Sequence, residues 1–290
     1  MMRTTRPAIW LSVVPAIAVL ALLFYVPLAG SLYGSVADEK NRFTLTAYRS
    51  LMSDASVRRG LIFTIEYAVA STTAAFVYGM AWAALMHRAF PGKRWYGVLS
   101  RAPIVIPGVA VALMMLTLLE QGGFLARVLA PLGIALPRIV RDPAGAGTVI
   151  ALAWKEAPLM GAIVASAFGS LRADVVQAAR SLGATAWRAF WLIQVPAAMP
   201  GLAAAALLGF VRALGAFAIP SLLGPAYPKP ILVLLYEAFE YGDWPRVCAI
   251  GTVFAAVSII AAWLYYRVMQ AAISRETDAR THNARYGGIL

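Results

Sequence analysis

The chain has 290 residues, of which 61% are hydrophobic and 13% charged, and its 25 Lys and Arg outnumber its 13 Asp and Glu. That apolar content excludes an ordinary soluble domain and calls for an integral membrane protein. The net charge of +12 does not argue for nucleic acid, because the basic residues flank apolar runs, where retention on the cytoplasmic side explains them. One cysteine, Cys248, excludes an intrachain disulfide and most metal frameworks, and its place at the start of an apolar run gives it a packing role.

Ile9 to Leu28 supplies the roughly twenty apolar residues that cross a hydrocarbon core as a helix. Arg3 and Arg6 precede it, and the lack of a small-residue cleavage site after a short apolar region predicts an uncleaved first span. Residues 31–59 are expected to form an outside loop. A second span from Leu61 to Leu85 leads into a purely basic turn, His87, Arg88, Lys93 and Arg94 around Pro91-Gly92, which belongs inside. The third span, Val98 to Leu119, contains Pro103 and Pro107 and is predicted to be a kinked helix. Arg101, near its inner end, can snorkel to the headgroups.

Residues 120–146 read as an outside loop with a short helix at Phe124 to Leu132. The fourth span is Gly147 to Phe168. The fifth, Leu202 to Leu223, is rich in alanine and glycine, which permits close helix contact. Residues 224–246, with Pro225, Pro228 and Pro230, return outside before a sixth span from Val247 to Tyr266. The tail from Arg267 stays inside, and beyond Ser274 it loses periodicity and is predicted to be mobile. The fold expected is all-α, an integral membrane protein of six transmembrane helices with both termini cytoplasmic. Its parts are an N-terminal helix and loop (1–59), a transmembrane core (60–270) and a cytoplasmic tail (271–290).

Between the fourth and fifth spans, Asp174 to Gly201 reads DVVQAARSLGATAWRAFWLIQVPAAMPG. Val175 to Leu182 is a good helix former, with Val175, Val176, Ala179 and Leu182 on one apolar side. Gly183 can end that helix in a left-handed conformation and turn the chain. A second helical stretch, Ala184 to Val195, presents Trp187, Phe190, Trp191 and Ile193 until Pro196 interrupts the pattern.

No nucleotide-binding G-x-x-x-x-G-K-[ST] segment, H-E-x-x-H or G-x-S-x-G occurs, so no catalytic constellation and no metal set is expected and energy must come from a partner or a gradient. The remaining functional candidates are ionisable residues inside spans, where a charge is costly. Glu66 near the outer end of the second span reads as structural. Lys155 and Glu156 in the fourth span point about 100° apart, so one is expected to pair with another helix while the other meets water. Arg212, near the middle of the fifth span, is expected to face a polar cavity or a partner. An ion-coupled secondary transporter using Glu156 and Arg212 is the alternative, although such carriers are usually built from related halves and none is visible here.

Gln177-Ala178-Ala179, then Gly183, then Ile193 and Pro196 reproduce the spacing E-A-A, three residues, G, nine residues, I-x-L-P. The segment thus resembles the coupling loop of permease subunits of binding-protein-dependent ABC importers. The resemblance extends over most of Leu61 to Arg267: Trp154 to Gln177 is similar to the approach to that loop, and GFVRALGAFAIPSLLG, Gly209 to Gly224, to the family's fifth core span. YGDWPRVCAIG before the last span most resembles the spermidine/putrescine branch. Gln177 departs from the motif's first Glu, keeping its size and hydrogen bonding without its charge.

The resemblance implies a MetI-like permease fold with an additional first helix, in the cell inner membrane. It implies Gln177, Ala178, Ala179, Leu182, Gly183, Ile193 and Pro196 as the ATPase-coupling loop, and makes Lys155, Glu156, Arg212 and Phe217 the translocation-pathway candidates. Two copies of a cytoplasmic ABC ATPase, which would bind the ATP and Mg, are the implied partners, with a second permease subunit, a paralogue, and a substrate-binding protein. The binding protein would dock on surfaces including residues 120–146 and 224–246. The cargo implied is a polyamine or similar small organic solute, whereas a positive charge at Arg212 would better suit an anion or a carboxylated compound, and the two hints disagree; this chain itself holds no cofactor.

Overall fold

The computed structural model describes residues 13–15, 17–37, 42–86, 89–169 and 173–286. Arg3, Arg6, His87, Arg88 and Ser170 to Arg172, to which the sequence reading assigned roles, lie outside them. Among the described residues the fold is all-α, with one isolated bridge between Ala37 and Phe43 and no strand. Six segments of the described residues are long and apolar enough to cross a membrane.

The first, α1 (Val13–Val36), contains a π-helical turn at Ala21–Tyr25 and runs further than the expected Ile9 to Leu28. It is followed by α2 (Thr46–Ser53), which lies within the stretch read as a loop, and by the 32-residue α3 (Ala55–Met86). The expected kinked third span is instead three pieces: α4 (Lys93–Leu99), α5 (Ala102–Val105) and α6 (Gly108–Leu119). Pro107 drives the second break. Its ring excludes the helical conformation at the preceding residue, and Ile106 is extended with ψ 126°. Next comes α7 (Phe124–Leu129), extended by a 3-10 turn at Ala130–Leu132, which matches the short helix expected there. The fourth span is α8 (Ala146–Gly169).

After α8 come α9 (Ala173–Ser181) and α10 (Ala186–Ala189). A π turn (Phe190–Gln194) then leads without a break into α11 (Val195–Leu214). Pro196 therefore does not end the helix as expected. The Val195 N–H bonds back to the Phe190 carbonyl, a wider winding that accommodates the proline ring in the turn that follows. The fifth span also stops earlier than expected, at Leu214. Pro220 lacks an N–H and its ring would meet the carbonyl four residues earlier, that of Ala216, so the chain breaks at Gly215 to Phe217 and restarts as α12 (Ala218–Leu223). The outer stretch 224–246 contains α13 (Ile231–Glu240), and α14 (Trp244–Tyr286) is helical throughout, including the residues beyond Ser274 that were predicted to be mobile.

The core is a sandwich of α3, α8 and α11, with α6 and α12 packed over one end and α14 along one side. Helices α3 and α8 approach so closely that a Cβ on Gly79 would lie 2.9 Å from the Gly161 nitrogen, and one on Gly161 would lie 2.8 Å from the Trp82 ring. Small residues permit this backbone contact where lipid provides no hydrophobic drive. Phe63, Tyr67, Leu152, Phe210, Leu214 and Leu223 fill the end nearest α12, and Trp82, Val164, Ala198 and Leu202 fill the end nearest α9 and α10. Helix α1 rests on α14, where a Cβ on Gly34 would lie 3.0 Å from the Cys248 sulfur, in keeping with a packing cysteine. The Arg101 guanidinium lies over the Trp82 ring at 5.7 Å, and Glu66 is exposed.

Candidate functional site

The turn between α9 and α10 is built by backbone rules. Gly183 adopts φ +89°, which favours a residue with no Cβ. Its N–H donates to the Arg180 carbonyl at 3.0 Å, and the Ala184 N–H donates to the Ala179 carbonyl at 3.0 Å. These paired bonds close α9 in the Schellman pattern. Two residues on, the Thr185 hydroxyl accepts the Arg188 N–H at 3.3 Å and caps α10. The helix-turn-helix rhythm and the left-handed glycine predicted from the sequence are both present.

This short element projects large apolar side chains into the surroundings. Leu182 is 89% exposed, Trp187 70% and Leu192 71%, while Trp187 and Trp191 stack edge to face with centroids 5.5 Å apart. Phe190 turns inward instead, its ring 5.6 Å from that of Phe168 at the end of α8, and Ala189 is buried beneath it. Gln177 and Ala178 are exposed, whereas Ala179, Ile193 and Pro196 are half-buried. The surface therefore consists of an anchored inner edge and a protruding apolar outer edge.

A second site lies where the two broken helices meet α8. Glu156 is buried, and its carboxylate accepts the Arg212 Nε–H at 2.6 Å and the Nη2–H at 3.2 Å, a bidentate pair joining α8 to α11. Lys155, one position earlier, points to a different neighbour. Its Nζ donates to the Ile106 carbonyl at 2.6 Å and the Pro103 carbonyl at 3.3 Å, groups left without helical partners by the break between α5 and α6. Consecutive residues of one helix thus tie down two others. Of the pair predicted to divide between a helix and water, Glu156 takes the helix, and Lys155 takes orphaned backbone carbonyls rather than only water.

Lys155, Glu156 and Arg212 line a recess of about 330 Å³ together with Gly108, Leu152 and residues 215–219. Arg212 faces this recess, in which three charged side chains lie among mainly apolar walls, and its side chain is 47% exposed against 9% for Glu156. Phe217 forms part of the wall, its ring 5.1 Å from that of Tyr236 in α13. All four pathway candidates are therefore gathered at one site, on and just beyond the two spans that flank the α9–α10 turn. Sequence reasoning does not single out Gly108 or Gly215, which line the recess without side chains; the proline-interrupted apolar runs beside them are the signal that could have found them. Among the described residues no group of three or more His, Cys, Asp or Glu could hold a metal ion.

An all-helical bundle with an apolar, capped turn between its fourth and fifth spans and a charged recess among broken helices has the architecture of a membrane transport component. The chain belongs to the binding-protein-dependent transport system inner membrane component family, whose profile matches residues 75–276. It is 30% identical to the sulfate transport system permease protein CysT of Synechocystis over 62% of this chain and 62% of that protein. It is also 30% identical to the molybdenum transport system permease protein ModB of Escherichia coli K12 over 70% of this chain and 88% of that protein. Among solved structures, the bacterial alginate ABC transporter in complex with its alginate pentasaccharide-bound periplasmic protein has a chain with the same fold, at a TM-score of 0.80 and 17% identity over 91% of this chain and 94% of that one. The MetNI methionine ABC transporter, in an inward-facing conformation, matches at a TM-score of 0.59 and 17% identity over 75% of this chain and 96% of that one. The chain is accordingly a multi-pass inner-membrane permease subunit of an ABC importer with a MetI-like fold.

Proposed function

We propose that this permease carries a small anion delivered by a binding protein, and that the α9–α10 turn transmits ATPase movement to the pathway. The observation that carries the coupling role is the glycine-closed, threonine-capped turn presenting exposed Leu182, Trp187 and Leu192 beside Gln177 and Ala178. Rigid, knobbed and apolar, it suits a groove on a second protein. Two copies of a cytoplasmic ABC ATPase, which bind the ATP and Mg, would take it up. A paralogous permease would complete the membrane unit. Both termini and the α9–α10 turn then lie in the cytoplasm, and α7 and α13 lie at the opposite surface, where the binding protein docks.

Two observations support an anion over the polyamine suggested by Tyr241 to Gly251. The recess brings two cations, Lys155 and Arg212, against one carboxylate, Glu156, and a polycation would be repelled there. The relatives named above are permeases for sulfate and for molybdenum.

The test is affinity purification of the tagged chain in mild detergent, followed by identification of its companions and by ATP hydrolysis. Recovery of an ATPase subunit and a second permease, with hydrolysis stimulated by a loaded binding protein, is the expected result. Recovery of the chain alone, with uptake driven by a proton gradient through Glu156, would replace this reading with the ion-coupled carrier.

A further inference from the structure

We infer that the recess holds a transit site for a tetrahedral oxyanion, in which Arg212 and Lys155 attract the ion and Glu156 both aims Arg212 and keeps the ion's stay short. The inference rests on the anion reading above and assigns roles within it.

A guanidinium has two edges that can each engage an oxyanion through parallel N–H groups. Glu156 occupies the edge formed by Nε and Nη2. The carboxylate is buried on α8 while Arg212 is half exposed, so the remaining edge, which carries Nη1, is the one left for the recess. Among the described residues Nη1 makes no hydrogen bond. Glu156 is therefore a positioning residue, fixing a long side chain that would otherwise sample many rotamers.

Lys155 supplies the second positive charge. Its Nζ has three donor hydrogens and uses two on the Pro103 and Ile106 carbonyls, leaving one. Gly108, which opens α6 without a side-chain cap, lets a ligand come close to the backbone there. The three ionised groups sum to one positive charge. An unopposed pair of cations in a low-dielectric recess would trap an anion, and a nearby carboxylate weakens that hold, as transit requires binding that is favourable to enter and weak enough to leave. A volume of about 330 Å³ admits a sulfate-sized ion with part of its hydration.

The test measures binding of radiolabelled sulfate, with molybdate and spermidine as competitors, to the detergent-purified permease complex without its binding protein. Arg212→Gln is expected to weaken sulfate binding at least about tenfold, and Glu156→Gln, which keeps an acceptor on the Arg212 edge while removing the like charge, to tighten it about tenfold. Turnover in reconstituted vesicles should fall in both, in the second because release slows. The double exchange Glu156→Arg with Arg212→Glu rebuilds the ion pair with its charges on the opposite helices, so it should reach wild-type membrane levels and yet bind sulfate weakly. Sulfate binding equal to wild type in the double exchange would make the pair structural and overturn the inference, as would unchanged binding in Glu156→Gln. Binding of spermidine but not sulfate by the wild-type complex would instead overturn the anion reading itself, and the inference with it.

Discussion

The Arg212 guanidinium meets the Glu156 carboxylate through two hydrogen bonds across two packed helices, while Lys155, its neighbour in the chain, closes on the break in a third. Two adjacent charges in a membrane span are costly. Here the helical twist sends each to its own partner, so both are satisfied and three helices are joined at one level of the bundle.

The Lys155 bond to orphaned carbonyls sets the first expectation. Lys155→Met keeps the aliphatic stem and removes the donor, leaving the Ile106 and Pro103 carbonyls unpaired at a cost of about 1–3 kcal/mol. Thermal unfolding in detergent should show a lower midpoint. An unchanged midpoint would mean that water satisfies those carbonyls.

Gly183 provides a test of coupling. Gly183→Asp places a charge on the tip of the turn, where nothing lies within 4 Å of the Cβ position but φ +89° strains any residue that carries one; the turn is distorted locally, while insertion, which rests on the spans, should be normal. Uptake and recovery of the ATPase subunit should both be lost. Normal uptake at normal membrane levels would remove the coupling role from this turn.

The contact of α3 with α8 predicts a severe packing effect. In Gly79→Val the branched side chain is driven into the Gly161 backbone, where a Cβ alone would stand 2.9 Å from nitrogen. Overpacking of this kind costs about 1–3 kcal/mol or more. The variant should show reduced membrane levels and a lowered unfolding midpoint, and wild-type values would mean that the two helices can separate freely.

Asp54, between α2 and α3, links stability to pH. Burial raises its pKa, but the Ser56 N–H and the Arg246 guanidinium, 2.7 Å away at the start of α14, outweigh burial and hold it below the ordinary value. A carboxyl depressed in the folded state adds stability that is fully present above its unfolded pKa of about 3.9 and is lost as pH falls through the folded value. Acid should therefore loosen the α2–α14 contact, and Asp54→Asn should flatten that acid limb while costing about 0.5–1 kcal/mol at neutral pH, since both side chains are partly exposed. Identical acid limbs in mutant and wild type would exclude this pair as the cause.

Much of the α9–α10 element was legible because its determinants are local. A glycine at the end of a helical run, a threonine before the next and fixed spacing between them need only near neighbours. The spans were legible through their apolar length. Their breaks were misjudged because proline acts in context: Pro107 and Pro220 interrupt helices, whereas Pro196 follows a π turn that absorbs it. Helix α13 carried a readable signal, since Ile231, Leu234 and Ala238 are buried at helical spacing, yet three prolines before it suggested only a loop. The partnership of Glu156 with Arg212, 56 residues apart, depends on how two spans pack, which no local pattern encodes.

The continuous helical segment from Ala186 to Leu214, with a π turn at Phe190–Gln194 and Pro200 inside it, would serve the proposed coupling as a connecting rod. Trp187 stands at its foot and Arg212 near its head, roughly 38 Å away at 1.5 Å rise per residue. A tilt of about 5° about the foot carries the head through roughly 3 Å on that length, comparable with the 2.6 Å separation of Arg212 from Glu156. On the coupling role proposed above, a small angular input at the apolar tip would be geared up, through the π turn and past Pro200, into a displacement large enough to open or remake a single ionic latch.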